Sequence, residues 1–199
     1  MKFLKDILVI INFLYSYLSR YNLQTDIKDD TYGIGIALWK DDIDFVYGAL
    51  RNVQLANIWF PKWKVRVYIP VNIPTPGKEL FVKQNVIEKM KSLGASIKHI
   101  DLKEAQIPAH LIGHLIVDDP GVEYFVIRDP RHRLGECDAY QMDKFVHSNN
   151  SIQFFEYKND LNQYSIHPEM LNGKREELVS NVSGNSIRTF IQVYDLLLY

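Results

Sequence analysis

The alternation of short apolar runs with stretches of helical periodicity is the feature that most constrains the fold of this chain. Four runs rich in β-branched and aromatic residues are typical of buried strands: residues 32–39, 64–70, 95–100 and 124–127. Residues 44–60 and 78–93 instead place apolar side chains three or four apart, which predicts amphipathic helices. Gly94 follows the second of these, in the position where a left-handed helix cap is expected. Strands that alternate with helices of this length need crossover connections. The pattern therefore predicts a single α/β domain with a mainly parallel, twisted sheet flanked by helices.

Composition supports one globular domain, which we place at residues 32–199. Of the 199 residues, 47% are hydrophobic and 24% are charged, as in ordinary folded proteins. The 23 basic and 24 acidic side chains give a net charge of −1, so no basic field indicates a nucleic-acid partner. The single cysteine, Cys137, excludes an intrachain disulfide and a cysteine-based zinc site.

Residues 1–31 form a hydrophobic segment and a polar linker with two interpretations. Residues 3–18 are rich in Leu, Ile, Phe and Tyr, like the apolar region of a secretory signal or anchor. Asp6 and Asn12 interrupt the run, which is also shorter than the roughly 20 apolar residues that span a bilayer. A signal or anchor predicts membrane association and the secretory pathway (ER or Golgi). An amphipathic helix that covers the domain predicts a cytoplasmic protein.

Charged residues cluster directly after the last predicted strand. They are Arg128, Asp129, Arg131, His132 and Arg133. Because ligands of parallel sheets bind beyond the carboxyl ends of the strands, this cluster is the predicted functional end of the domain. A solvated basic turn that closes the strand is the alternative.

Five segments stand in an order and spacing that occur together in one family: residues 36–39 (IALW), 47–52 (YGALRN), 59–68 (WFPKWKVRVY), 87–95 (IEKMKSLGA) and 124–129 (YFVIRD). Together they resemble nucleotide-sugar-dependent glycosyltransferases of the GT-A type, over about residues 32–150. The resemblance implies a nucleotide-diphospho-sugar transferase-like fold. It also implies transfer of a sugar from a nucleotide-diphosphate donor to an acceptor that the sequence does not identify.

The family motif reads approximately Arg-Asp-x-Asp-Ser-Arg-Leu, and its two carboxylates hold a divalent cation that bridges the donor diphosphate. Here Asp129 matches the first carboxylate and is the implied catalytic residue. Arg131 stands at the second carboxylate and His132 at the serine. A guanidinium beside a dication is repulsive, which counts against a metal of the usual kind.

Three alternatives follow for this degenerate Asp-x-Asp motif. Asp129, His132 and His167 could ligate manganese or magnesium. Arg128, Arg131 and Arg133 could instead bind the diphosphate without a metal. The third alternative is a pseudoenzyme, a nucleotide- or sugar-binding scaffold without activity.

Trp39 ends the first predicted strand and Asp41 follows it, in a position to contact a nucleotide base or ribose. The alternatives are a core position for Trp39 and a helix N-terminal charge pair for Asp41 and Asp42.

Residues 118–121 (DDPG) are typical of a turn rather than a second acidic site. His110 and His114 have zinc-ligand spacing without a third ligand. The stretch after Gly173 is short for an acceptor-binding half, which predicts a minimal or C-terminally truncated version of the fold.

Overall fold

The computed structural model describes residues 31–40, 42–71, 82–158 and 164–176, except the side chains of residues 155–158 and 164–169. Several predictions lie outside the described residues: the N-terminal segment at 3–18, Asp41, the side chain of His167 and the C-terminal end beyond residue 176. Within the described ranges, no helix combines the length and apolar character needed to cross a bilayer.

Strands and helices alternate along the described chain. The strands are β1 (Tyr32–Ala37), β2 (Lys64–Val71), β3 (Ser96–Asp101), β4 (Tyr124–Arg128), β5 (Ile152–Lys158) and β6 (Tyr164–Lys174). The helices are α1 (Ile43–Trp59), α2 (Gln84–Ser92), α3 (Leu102–Ala105) and α4 (Glu136–Val146), with a 3-10 helix at Ala109–Asp118.

The strands form one sheet in the order β3-β2-β1-β4-β6-β5. Strands β1 to β4 run parallel, and β6 runs antiparallel to both β4 and β5. The predicted α/β fold with a mainly parallel sheet flanked by helices is therefore confirmed. From β1 the chain moves outward to β2 and β3, then returns to place β4 on the other side of β1. The carboxyl ends of β1 and β4 thus border a topological switch point, where α/β sheets bind ligands.

Strand β1 separates the two halves of the core because its side chains alternate between faces. Ile34 and Ile36 pack with α1, α2 and α4 on one face. Gly33 and Gly35 occupy the other face, against the 3-10 helix. A Cβ atom on Gly35 would lie 2.5 Å from the carbonyl oxygen of Gly113. The small residues of β1 therefore permit a close approach that larger ones would block.

The structure confirms the predicted helix over 44–60 and the four strands, and it corrects other parts of the prediction. Helix α2 begins at Gln84, and the preceding Val82 and Lys83 are not helical. At the end of α2, Gly94 has φ +92°, which is the left-handed conformation predicted for the cap. The 3-10 helix, β5 and β6 were not predicted.

Gly35→Ala is expected to lower the free energy of unfolding by about 1–3 kcal/mol, the range for overpacked cores. The added methyl group meets a backbone oxygen that cannot rotate away. Gly33→Ala is the matched control on the same face, since its Cβ would lie 2.7 Å from the flexible Cδ1 of Ile116. We expect a smaller loss there. Urea denaturation measures both, and equal losses would contradict the role of the rigid carbonyl.

Candidate functional site

A turn of residues 129–134 connects β4 to α4 and contains the predicted site. The Asp129 side chain is fully buried (0% exposed), whereas that of Arg131 is 48% exposed. Asp129 Oδ1 accepts hydrogen bonds from the backbone N of Arg131 at 2.7 Å and from its Nε at 3.1 Å. Asp129 Oδ2 accepts from Arg131 Nη2 at 2.6 Å. The guanidinium therefore neutralises the buried carboxylate, although the Arg131 side chain as a whole remains about half exposed.

Helix α1 fixes the backbone of this turn. Asn52 is fully buried, and its Nδ2 donates to the carbonyl oxygens of Pro130 at 3.2 Å and His132 at 3.0 Å. Its Oδ1 accepts from the backbone N of Leu134 at 3.0 Å. One helical turn earlier, a Cβ atom on Gly48 would lie 2.4 Å from the Pro130 oxygen. The lack of a side chain at Gly48 lets the turn lie directly on the helix.

The other two arginines that were predicted as phosphate partners lie in different surroundings. The Arg128 side chain is 2% exposed and forms an ion pair with Asp138 in the first turn of α4. Asp138 also accepts a hydrogen bond from the backbone N of Gly135 at 2.8 Å. Arg133 is exposed and donates from Nη1 to the Pro130 carbonyl. Arg128 thus joins β4 to α4 in the interior, whereas Arg131 and Arg133 reach solvent.

The end of β1 brings an aromatic and a second cationic group to the same place. Trp39 packs edge-on against Phe45 of α1, with ring centroids 5.6 Å apart, and also contacts His110 at 5.8 Å. Lys40 Nζ lies 4.4 Å from the Trp39 centroid and 5.2 Å from that of Phe45. Arg131 Cζ lies 4.9 Å from the same Phe45 centroid. Lys40 after β1 and Arg131 after β4 therefore both lie near the aromatic ring of Phe45.

His132 is the titratable group of the turn. Its side chain is 47% exposed, and its Nδ1 lies 3.9 Å from Asp129 Oδ2. Partial burial lowers the pKa of His132 below its usual value, and the positive charges of Arg128, Arg131 and Arg133 lower it further against the opposing effect of Asp129. The imidazole is therefore mostly neutral at neutral pH.

The turn fits a divalent cation poorly. Both oxygens of Asp129 accept hydrogen bonds from Arg131, so a cation bound there would have to displace the guanidinium. In the part of the chain that the structure describes, no three His, Cys, Asp or Glu side chains cluster as a metal site. Ligation by Asp129, His132 and His167 stays a prediction, because the side chain of His167 lies outside the described residues.

The remaining candidates have structural contacts. Asp42 caps α1 through a hydrogen bond from the backbone N of Phe45 to its Oδ1 at 2.9 Å, as the helix-terminal interpretation predicted. Asp119 forms the predicted turn with Gly121 and pairs with Arg66 at 2.7 Å. His114 is buried, with Nδ1 3.0 Å from the Leu111 carbonyl oxygen.

The chain matches no family model and no curated protein sequence. Solved structures do match it. One is 4-diphosphocytidyl-2C-methyl-D-erythritol synthase from Anaerococcus prevotii, which is 9% identical with a TM-score of 0.44. The match covers 84% of this chain and 85% of that one. At this level of similarity, the function of this chain has to be inferred from its own residues.

Sequence reasoning missed several residues of the site, although some of them left a signal. Asn52 is a polar residue on the apolar face of α1, between Ala49 and Val53, and an amide in that position indicates a buried hydrogen-bonded group. Lys40 directly follows the first strand. No sequence pattern indicates that Phe45 contacts both Lys40 and Arg131, because this contact depends on how α1 packs between two strand ends.

Arg131→Gln is expected to lower the free energy of unfolding by about 1–3 kcal/mol, since the buried carboxylate loses its cationic partner. Asp129→Asn removes the charge instead, so the double variant should be more stable than the sum of the single losses predicts, by about 0.5–3 kcal/mol. Urea denaturation of the four proteins measures this coupling. Arg133→Gln is the control that leaves Asp129 paired, and additive losses at Asp129 and Arg131 would contradict the pair.

Proposed function

We propose that the crevice between the ends of β1 and β4 binds the diphosphate of a nucleotide-diphosphate sugar. The chain is then a glycosyltransferase-like protein that passes the sugar to an unknown acceptor. One observation carries the proposal: Lys40 and Arg131, from two different strand ends, both lie near the Phe45 ring at the switch point of the sheet. The strand order and the sequence resemblance point to the same class of ligand.

Cationic side chains suit this chemistry because the diphosphate leaving group gains negative charge as the sugar is transferred. A guanidinium binds phosphate oxygens in a fixed geometry, and an ammonium adds a point charge. Asp129 orients Arg131 through both of its carboxylate oxygens, which reduces the ordering cost of binding. Arg133 adds a third positive charge at the surface. Trp39, and Asp41 beyond the described residues, remain candidates for contact with the nucleotide.

We infer that this binding does not require a divalent cation. A metal at an Asp-x-Asp motif supplies positive charge between two carboxylates and the diphosphate. Here Arg131 already supplies positive charge to Asp129, and it occupies the second carboxylate position. The competing hypothesis is a manganese or magnesium ion at Asp129 and His132, which requires Arg131 to move away.

A specific observation supports a second candidate function, a nucleotide- or sugar-binding protein without transferase activity. Asp129 is the sole carboxylate of residues 129–134, and both of its oxygens are engaged by Arg131. Asp138 in the first turn of α4 is already paired with Arg128. In this function the crevice binds the donor, and a partner protein recognises the chain with the donor bound.

Uridine and guanosine diphosphates, titrated calorimetrically with and without manganese, test the binding site. We expect binding that does not depend on the metal and that weakens about 10- to 100-fold in Arg131→Ala, the range for loss of a charged hydrogen bond. Lys40→Ala should weaken it as well. Arg51→Ala is the matched control, since Arg51 is an exposed arginine of α1 that contacts Gln54. Metal-dependent binding that is lost in Asp129→Ala would instead support the cation.

One measurement distinguishes a transferase from a protein that binds the donor without turnover. Release of the nucleoside diphosphate from a panel of nucleotide sugars, followed over time, reports hydrolysis or transfer. Turnover that Arg131→Ala abolishes supports the transferase. Donor binding without release for any sugar, with or without added acceptors, supports the binding protein.

The affinity for pyrophosphate should increase as the pH falls from about 7.5 to 5.5, because binding raises the pKa of His132. The free imidazole has a pKa below its usual value. A bound anion favours the protonated form, so binding takes up a proton between the lower free pKa and the higher bound pKa. His132→Gln is the control for protonation of pyrophosphate itself. Parallel pH profiles for the two proteins would show that His132 does not lie beside the anion.

A further inference from the structure

Asn52 is fully buried in α1, and every hydrogen bond that the structure gives its amide goes to the 129–134 turn. Two donated bonds hold the Pro130 and His132 carbonyls, and one accepted bond holds the Leu134 amide. A buried polar group without partners is costly, so this amide and this turn stabilise each other specifically. Aspartate lacks the two donors, and leucine lacks all three groups.

Asn52 holds backbone groups of the turn on the side that faces α1, whereas two side chains of the same turn reach solvent. The carbonyls of Pro130 and His132 point to α1, whereas the side chains of Arg131 and His132 are 48% and 47% exposed. Gly48 lies one helical turn earlier and lets Pro130 approach the helix. The backbone from which these two side chains project is therefore held by a helix that contributes neither of them.

We infer that Asn52 is the positioning residue of an anion-binding turn whose ligand is a phosphate or diphosphate group. The inference rests on the proposed function for the nature of the ligand, and on the hydrogen bonds of Asn52 for the positioning. Asn52 does not touch the anion. It acts by holding the backbone from which Arg131 and His132 project, and Gly48 acts with it by leaving room for that backbone.

Asn52→Leu tests this role, with inorganic pyrophosphate as the probe. We expect folded protein whose pyrophosphate affinity is about tenfold or more below wild type, because Arg131 loses its orientation. The pKa of His132, followed by the NMR shifts of its imidazole and assigned with His132→Gln, should move up toward its ordinary value as the turn opens. Val53→Ala is the matched control, a buried apolar neighbour on the same helix whose side chain cannot form a hydrogen bond with the turn.

Gly48→Ala is the second variant, and it carries the test if Asn52→Leu does not fold. It keeps the amide and pushes the turn outward, so the same two changes are expected. Pyrophosphate affinity within twofold of wild type and an unchanged His132 pKa in either folded variant would overturn the inference. If the wild-type protein binds no pyrophosphate, the proposed function is wrong. The His132 pKa in the two variants then still tests, independently of binding, whether Asn52 positions the turn.

Discussion

The buried carboxylate of Asp129 is the constraint on which the site depends. A charge that is withdrawn from water at the end of a central strand must be neutralised, and Arg131 does this with three hydrogen bonds from within the same turn. The hydrogen bond from the Arg131 backbone N to Asp129 closes a turn directly after β4. The guanidinium of the pair lies beside Phe45, at the switch point. A structural requirement and the proposed binding surface therefore share one side chain.

The sequence predicted those parts of the fold that depend on local pattern. Residues 32–39 and 64–70 were predicted as strands because they are apolar and β-branched, and Gly94 was predicted as a cap because few residues other than glycine adopt positive φ readily. The 3-10 helix at Ala109–Asp118 had no such pattern. Leu111, Ile112 and Ile116 are all buried, so its apolar residues do not define one face. Strand β6 becomes recognisable only through its antiparallel pairing with β4, and β5 only through its antiparallel pairing with β6.

The sequence located the turn that forms the candidate site, but it indicated few of the contacts that this turn makes. The motif after β4 identified Asp129 and Arg131, since a charged cluster at a strand end is a local feature. Arg128 belongs to the same motif, yet its partner Asp138 lies in the next helix and draws it into the interior. Asn52 contacts the turn across about 80 residues of sequence. Contacts of that kind depend on how α1 packs against the turn after β4. Local sequence patterns carry no information about such packing.

Charge is the basis of our proposal that an arginine at the second carboxylate position changes the ligand of the site without removing the site. Two carboxylates repel each other unless a dication lies between them, so the usual motif is complete only with its metal. Asp129 with Arg131 is already neutral as a pair, and the nearby Lys40 and Arg133 add positive charge that an anion can satisfy. Partial burial lowers the pKa of His132, and the surrounding arginines lower it further, so a further proton is disfavoured in the absence of an anion. In the proposed function such a turn binds diphosphate in preference to a free metal ion, and the hydrogen bonds of Asn52 and Asp129 hold its backbone for that ligand.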